Sequence, residues 1–422
     1  MSLIYNTGIY VFALILRVAS IFNTKAKDFI QGRKDTFLNL KSFRERIGTA
    51  KLIWVHCASL GEFEQGRPVI EAMKKRWPDK KILLTFFSPS GYNIRKNYEH
   101  ADHVCFLPLD TPFNARKFYR IAQPDLAIFV KYEFWYNHLA VLQHHKVPHL
   151  LISAIFRPGQ VFFKAYGKLF RKLLYGFAHV FVQDSRSVEL LAKIGYHHSS
   201  RAGDTRVDRV LDIARNARVF PEIEKFVAGS KVFIAGSTWP KGEEILCPLF
   251  NNDLPVGWKV IIAPHEITDA HLNNLEKKLS LPLIRYSQLE QMPDTDATVL
   301  ILDNIGMLAS VYKYGVIAYI GGGFGVGIHN ILEPATFALP VLFGPNHSKF
   351  REAVELKERG GAFSVADYGE LKKGFEQLQH PEQYASAAKA ARTFIEENRG
   401  ATEKILEFLE TGLYVGDQKK RK

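Results

Sequence analysis

Several short turns of this chain carry residues that could do chemistry. The first is Ser59-Leu60-Gly61-Glu62-Phe63-Glu64-Gln65-Gly66, which follows an apolar run. Its two glycines let the backbone turn tightly, and Glu62 falls near the start of the helix that comes next. A carboxylate there can take a proton from an acceptor hydroxyl as a general base; equally, it can complement the positive end of its helix. The turn Ser88-Pro89-Ser90-Gly91 can cap a helix or offer amides to an anion. Further on, Lys131-Tyr132-Glu133-Phe134-Trp135-Tyr136-Asn137 mixes rings with charges. That mix suits a sugar, because rings stack on the apolar face of a pyranose while Lys131 and Glu133 bond its hydroxyls. An aromatic cluster packed under a loop is the other reading.

The second half of the chain offers a different chemistry. Gly236-Ser237-Thr238-Trp239 places a glycine and two hydroxyls where a phosphate could sit. His265, in Ala263-Pro264-His265-Glu266, could touch a ligand or be structural. Five glycines fall within Gly321-Gly322-Gly323-Phe324-Gly325-Val326-Gly327, a density that suggests backbone laid against a ligand. The dinucleotide spacing G-x-G-x-x-G fails here, because its last position is Val326 or Ile328. His329-Asn330-Ile331-Leu332-Glu333-Pro334 then reads as a helix opening at Asn330. Its amides could hold a phosphate and Glu333 could hold both hydroxyls of a ribose.

Short apolar strands alternating with helices must position these turns. Strand-like runs occur at 51–57, 81–87, 103–107, 126–130, 149–153 and 180–183, and again at 231–236, 259–263, 298–302, 316–320 and 340–343. Between the first two, Val69, Ile70, Met73 and Trp77 share one helical face. Such alternation implies parallel sheets covered on both faces, with ligand turns at the carboxyl ends of strands around a central cleft. The expected organisation is a membrane anchor at 1–24, a first Rossmann-like domain at 25–216, a linker at 217–230, a second at 231–412 and a basic tail at 413–422; the resemblance described below makes the first the acceptor domain and the second the donor domain.

Composition sets outer bounds. The 422 residues are 47% hydrophobic and 23% charged, with a net charge of +13. That balance is globular, and the basic excess favours an anionic partner. No zinc-finger or RNP-type signature points to nucleic acid. Cys57, Cys105 and Cys247 are scattered and read as reduced core residues. Ile9–Phe22 is almost wholly apolar, and seven basic residues follow between Lys25 and Arg46 against three acids. That order predicts a span or an interfacial helix, with the following domain on the cytoplasmic side. The Lys419-Lys420-Arg421-Lys422 run reads as a solvated tail.

Taken in order, Ala58-Ser59-Leu60-Gly61-Glu62, Leu107-Pro108-Leu109-Asp110-Thr111-Pro112, Glu133-Phe134-Trp135, Gln183 with Gly203-Asp204, and His329-Asn330-Ile331-Leu332-Glu333-Pro334 resemble the 3-deoxy-D-manno-octulosonic acid (Kdo) transferases. The resemblance implies a GT-B fold of two Rossmann-like domains. It implies transfer of Kdo from CMP-Kdo, with inversion, to the lipid A precursor at the cytoplasmic face of the inner membrane. It makes Glu62 the base and Glu133 a second carboxylate of the catalytic centre, with Ser59, Gly61, Lys131 and Trp135 on the acceptor side. The donor side would comprise Gly236, Ser237, Thr238, His265, Gly321, Gly322, Gly323, Asn330 and Glu333. Neither a metal nor a cofactor is expected. The chain departs from the family's usual residues at Lys131, Tyr136, Ile155 and Ile328. A sugar-nucleotide epimerase of the same fold and a non-catalytic nucleotide or lipid sensor are the competing readings.

Overall fold

The computed structural model describes residues 2–289, 291–292 and 295–414; the terminal basic run at 419–422 lies outside them. The chain forms two compact units. One takes the residues up to Asp208 together with those from Arg399, and the other takes Arg209–Asn398.

In the first unit the strands are β1 (Leu52–Cys57), β2 (Lys81–Phe86), β3 (His103–Phe106), β4 (Leu126–Val130), β5 (His149–Ala154), β6 (His179–Val182) and β7 (Ser199–Arg201). They form one sheet in the order β3-β2-β1-β4-β5-β6-β7, every pairing parallel. β1 and β4 are buried at every position, as a sheet covered on both faces requires. One face packs Trp54, Leu83, Phe118 and Phe129. The other packs Ile53, Val55, Phe63 and Ile70. The helix Ala401–Phe408 joins that second face through Ala401, Ile405 and Leu406, and Gly400 and Thr402 donate their backbone N–H groups to Asp208.

The second unit repeats the plan with β8 (Lys231–Thr238), β9 (Trp258–Pro264), β10 (Leu283–Arg285), β11 (Val299–Ile301), β12 (Ile317–Ile320), β13 (Val341–Phe343) and β14 (Ala362–Ser364). Their order is β10-β11-β9-β8-β12-β13-β14. The segment 217–230 is not bare chain, since it carries the helix Pro221–Val227 with Ile223 and Phe226 buried.

Three strands escape the sequence reading: β7, β10 and β14. Each has three residues and each lies at a sheet edge. An edge strand pairs on one side only, so its side chains need not be apolar throughout, and three residues are too few to show a period.

The N-terminal helix runs Ser2–Phe22, longer than the apolar run alone suggested, and buries none of its residues. Leu3, Ile4, Leu14, Ile15, Val18 and Ile21 are all exposed. Its 21 residues are long and apolar enough to cross a membrane, which makes it a candidate anchor. It is not detached from the first unit. Tyr5 donates its hydroxyl to Asp110 at 2.7 Å, Asn137 donates to Asn6 at 2.8 Å, and the Phe12 ring meets Phe29 at 6.4 Å.

Candidate active site

In an open parallel sheet, neighbouring strands whose connections run to opposite faces leave a crevice at their carboxyl ends. In the first sheet that point lies between β1 and β4. The turn after β1 carries Glu62, and the turn after β4 carries Glu133. Ser59 caps the helix Leu60–Arg76, accepting from the Gly61 amide and donating its hydroxyl to Glu62. Both carboxylates act on the buried Cys57 thiol at the end of β1. Burial pushes that thiol well above its ordinary range, and Glu62 and then Glu133 push it further. The two acids, 71 positions apart in sequence, therefore share one neighbourhood.

Glu133 is buried beneath an aromatic cavity of about 390 Å³ lined by Tyr5, Phe134, Trp135, Val161, Phe162 and Phe170 among others. Its Oε2 accepts from Trp135 Nε1 at 2.6 Å and lies 3.2 Å from His56 Nε2. Trp135 also packs on Phe87, ring centroids 4.5 Å apart, so it serves both the charge and the cluster. Lys131 holds a left-handed backbone, φ 68°. Burial raises the Asp204 carboxyl, but Arg206 and, more weakly, Lys131 bring it below its ordinary range. His56 was missed because it lies inside a strand that reads as apolar. The available signal was a histidine at a position where both sheet faces are buried.

The second sheet's switch point lies between β8 and β12, with Gly236–Trp239 at the carboxyl end of one strand and Gly321–Glu333 after the other. These residues form two groups. In the first, Trp239 stacks on His265 with centroids 4.6 Å apart and donates Nε1–H to His329 Nε2 at 2.9 Å. His329 thus carries its own proton on Nδ1. Burial, then His265, lowers its basicity. This group borders a cavity of about 530 Å³ that also touches Lys241, Gly322 and Phe324. In the second group, Asn330 donates to Glu333 Oε1 at 3.1 Å and accepts from the Leu332 amide. Burial raises the Glu333 carboxyl, while Asn330 and Arg209 pull it back. Glu333 in turn raises the buried Tyr312 hydroxyl.

Three expectations change here. The helix opens at Leu332, not Asn330, and ends at Thr336, so it has little dipole to offer an anion. Thr238 is fully buried and donates its hydroxyl to Glu243 at 2.8 Å, which turns that group inward and leaves half-buried Ser237 as the neighbouring hydroxyl. Backbone packing accounts for most of the glycine run. A Cβ on Gly321 would lie 1.9 Å from the Ser237 carbonyl oxygen, and one on Gly323 would lie 2.6 Å from Gly344. Gly322 and Gly327 have φ of +90° and +147°, where other residues are strained. Gly236 is required too, because its Cβ would fall 2.0 Å from the Tyr312 hydroxyl.

Residues 41–209 match the family model described as 3-deoxy-D-manno-octulosonic-acid transferase. The 3-deoxy-D-manno-octulosonic acid transferase of Aquifex aeolicus is 29% identical over 325 residues, 76% of this chain and 83% of that one. That of Rickettsia prowazekii is 29% identical over 337 residues, 77% and 71% of the two chains. That of Haemophilus influenzae is 27% identical over 374 residues, 85% and 86% of the two chains. Among solved structures, UDP-GlcNAc 2-epimerase from Neisseria meningitidis bound to UDP-GlcNAc superposes with a TM-score of 0.57 at 17% identity, covering 85% of this chain and 99% of that one. A second UDP-N-acetylglucosamine 2-epimerase gives 0.54 at 14% identity, with 85% and 95% covered. At such identities the epimerases show the GT-B architecture alone.

Proposed function

This chain belongs to the Kdo transferase family and is a glycosyltransferase, and from that premise we propose that it moves Kdo from CMP-Kdo, with inversion, onto the acylated, phosphorylated disaccharide precursor of lipid A. The observation that carries this reading is that Glu62 and Glu133 follow β1 and β4, the two strands that flank the switch point of the first sheet. Glu62 sits in the first turn of its helix with its orientation held by Ser59. There it takes the proton from the acceptor hydroxyl, and the oxygen attacks the anomeric carbon from the face opposite the leaving CMP. Glu133 presents its carboxylate to the aromatic cavity, where rings and a charge can hold a sugar.

On the donor side, Glu333 and Asn330 would hold the ribose. The leaving phosphate gathers negative charge during transfer; Ser237, Lys241 and the backbone of the glycine turn are the groups that would meet it. Attachment through the exposed apolar N-terminal helix, with its basic flank, would hold the first unit at the cytoplasmic face of the inner membrane, where an anionic lipid acceptor resides.

The test is mass spectrometry of a tetraacylated, bisphosphorylated acceptor after incubation with the protein and CMP-Kdo. A gain of one or more Kdo masses with CMP released is expected. Glu62→Gln should lower turnover by about 10²–10⁴ while CMP still binds. Intact donor in the presence of folded protein would reject the transfer reading. Binding of CMP without turnover would then favour a sensor.

A further inference from the structure

His56 has no part in the chemistry above, yet its ring has polar partners on both sides. Its ring is wholly buried in β1. Nδ1 lies 2.8 Å from Thr85 Oγ1 and 3.1 Å from the Thr85 carbonyl. Thr85 Oγ1 is itself fixed by the Trp54 indole N–H at 2.8 Å. The imidazole is thus clamped from behind and cannot turn. In front, Nε2 lies 3.2 Å from Glu133 Oε2. The Trp135 N–H points to that same oxygen at 2.6 Å. The indole nitrogen also lies 3.1 Å from Nε2. Because Thr85 Oγ1 accepts from Trp54, its own hydrogen is free to go to Nδ1, which places the ring's proton on Nε2, facing Oε2.

We propose that His56 is a positioning residue for Glu133, donating from Nε2 so that the carboxylate is oriented with Oε1 turned to the aromatic cavity. A buried carboxylate needs donors to hold it in one orientation. Two groups on Oε2 leave Oε1 unbonded among the described residues, and Glu133 lines the cavity. The other titratable groups around the ring are His138, from the helix Tyr136–His144, and Cys57, its neighbour on β1, which also senses Glu62. Burial holds His138 below its ordinary basicity and Cys57 above its ordinary range, so at neutral pH neither competes for the proton.

The activity arm of the test rests on the transfer reaction proposed above; a spectroscopic arm does not. Nitrogen-15 spectra of the histidine side chains should show an Nε2-protonated ring across pH 6–9 that is assigned to His56 by its loss in His56→Gln. Glu133→Gln should move that signal. In the transfer assay, His56→Leu should lower kcat at least 100-fold with KM for the acceptor little changed. His56→Gln, whose amide N–H reaches toward Oε2, should recover a tenth or more of the wild-type rate. A bare Nε2 in the wild-type spectra, or His56→Leu turnover within threefold of wild type, overturns the proposal. If His56→Leu does not fold, the spectra and His56→Gln still decide it: a His56→Gln enzyme as dead as Glu133→Gln would overturn it. Absence of any transfer by wild type would refute the reaction and leave the spectroscopic result standing.

Discussion

Replacing Gly321 with alanine separates two explanations of the glycine run. The new methyl carbon would sit 1.9 Å from the Ser237 carbonyl oxygen, 2.6 Å from its carbon and 2.9 Å from Thr238 Cα. All three are backbone atoms of β8, and no side-chain rotation relieves the clash. β8 and β12 would have to part by more than about 1 Å to restore van der Waals distance. That movement strains the Gly321 amide bond to the Gly236 carbonyl, now 2.9 Å. Overpacking of this kind costs about 1–3 kcal/mol, and a weakened buried hydrogen bond adds about 1 kcal/mol. For a unit the size of Arg209–Asn398, roughly 2–4 kcal/mol lowers Tm by roughly 5–15 °C. Gly325→Ala is the control, because its Cβ would meet only the Gly322 carbonyl oxygen at 3.6 Å. Thermal unfolding by circular dichroism, with CMP titration calorimetry beside it, reads both variants. A Gly321→Ala protein melting within a degree of wild type, with only CMP affinity reduced, would refute the packing argument and return the glycine to the ligand.

Other outcomes follow from the same geometry. Leu14→Asp with Ile15→Asp alters two exposed positions and should leave the fold intact while reducing flotation with anionic phospholipid vesicles at least 100-fold, since each charge placed in lipid costs about 2.5–3.5 kcal/mol; unchanged flotation would remove the helix as anchor. Glu333→Gln takes away the charge that offsets buried Arg209, and should weaken CMP binding about 10–100-fold at the value of a charged hydrogen bond, measured by calorimetry. Burial lowers both His103 and His179 to about 4. Between that value and the unfolded value near 6.5 the unfolded chain binds more protons, so this stability is complete above about pH 6.5 and is lost as pH falls. Each group contributes up to roughly 1.4 kcal/mol per pH unit. Urea unfolding should therefore show lower stability at pH 5 than at pH 7.5, by less than the full linkage value because both rings are partly exposed to solvent, and equal stability would contradict the burial of these rings.

Much of this protein is legible before any coordinates. Apolar runs bounded by turn residues mark the eleven inner or longer strands, because a parallel strand buried on both faces has to be apolar along its length. The turns after β1, β4, β8 and β12 stand out by residue type. Their importance follows from a rule about carboxyl ends, but the choice of these four needs the strand order, which depends on pairings between segments far apart in the chain. Tertiary structure alone decides the rest. The helix Ala401–Phe408 returns to the first unit because Ile405 and Leu406 complete a core built from β1, β2 and β4, and no local pattern records which core a helix will join. Thr238 faces Glu243, although its hydroxyl could have reached a ligand. His56 becomes conspicuous only when β4 brings Glu133 and Trp135 beside it. Hydrophobic periodicity is written locally and survives in the sequence; which polar group meets which is settled by packing across 77 positions, and exists only in the folded chain.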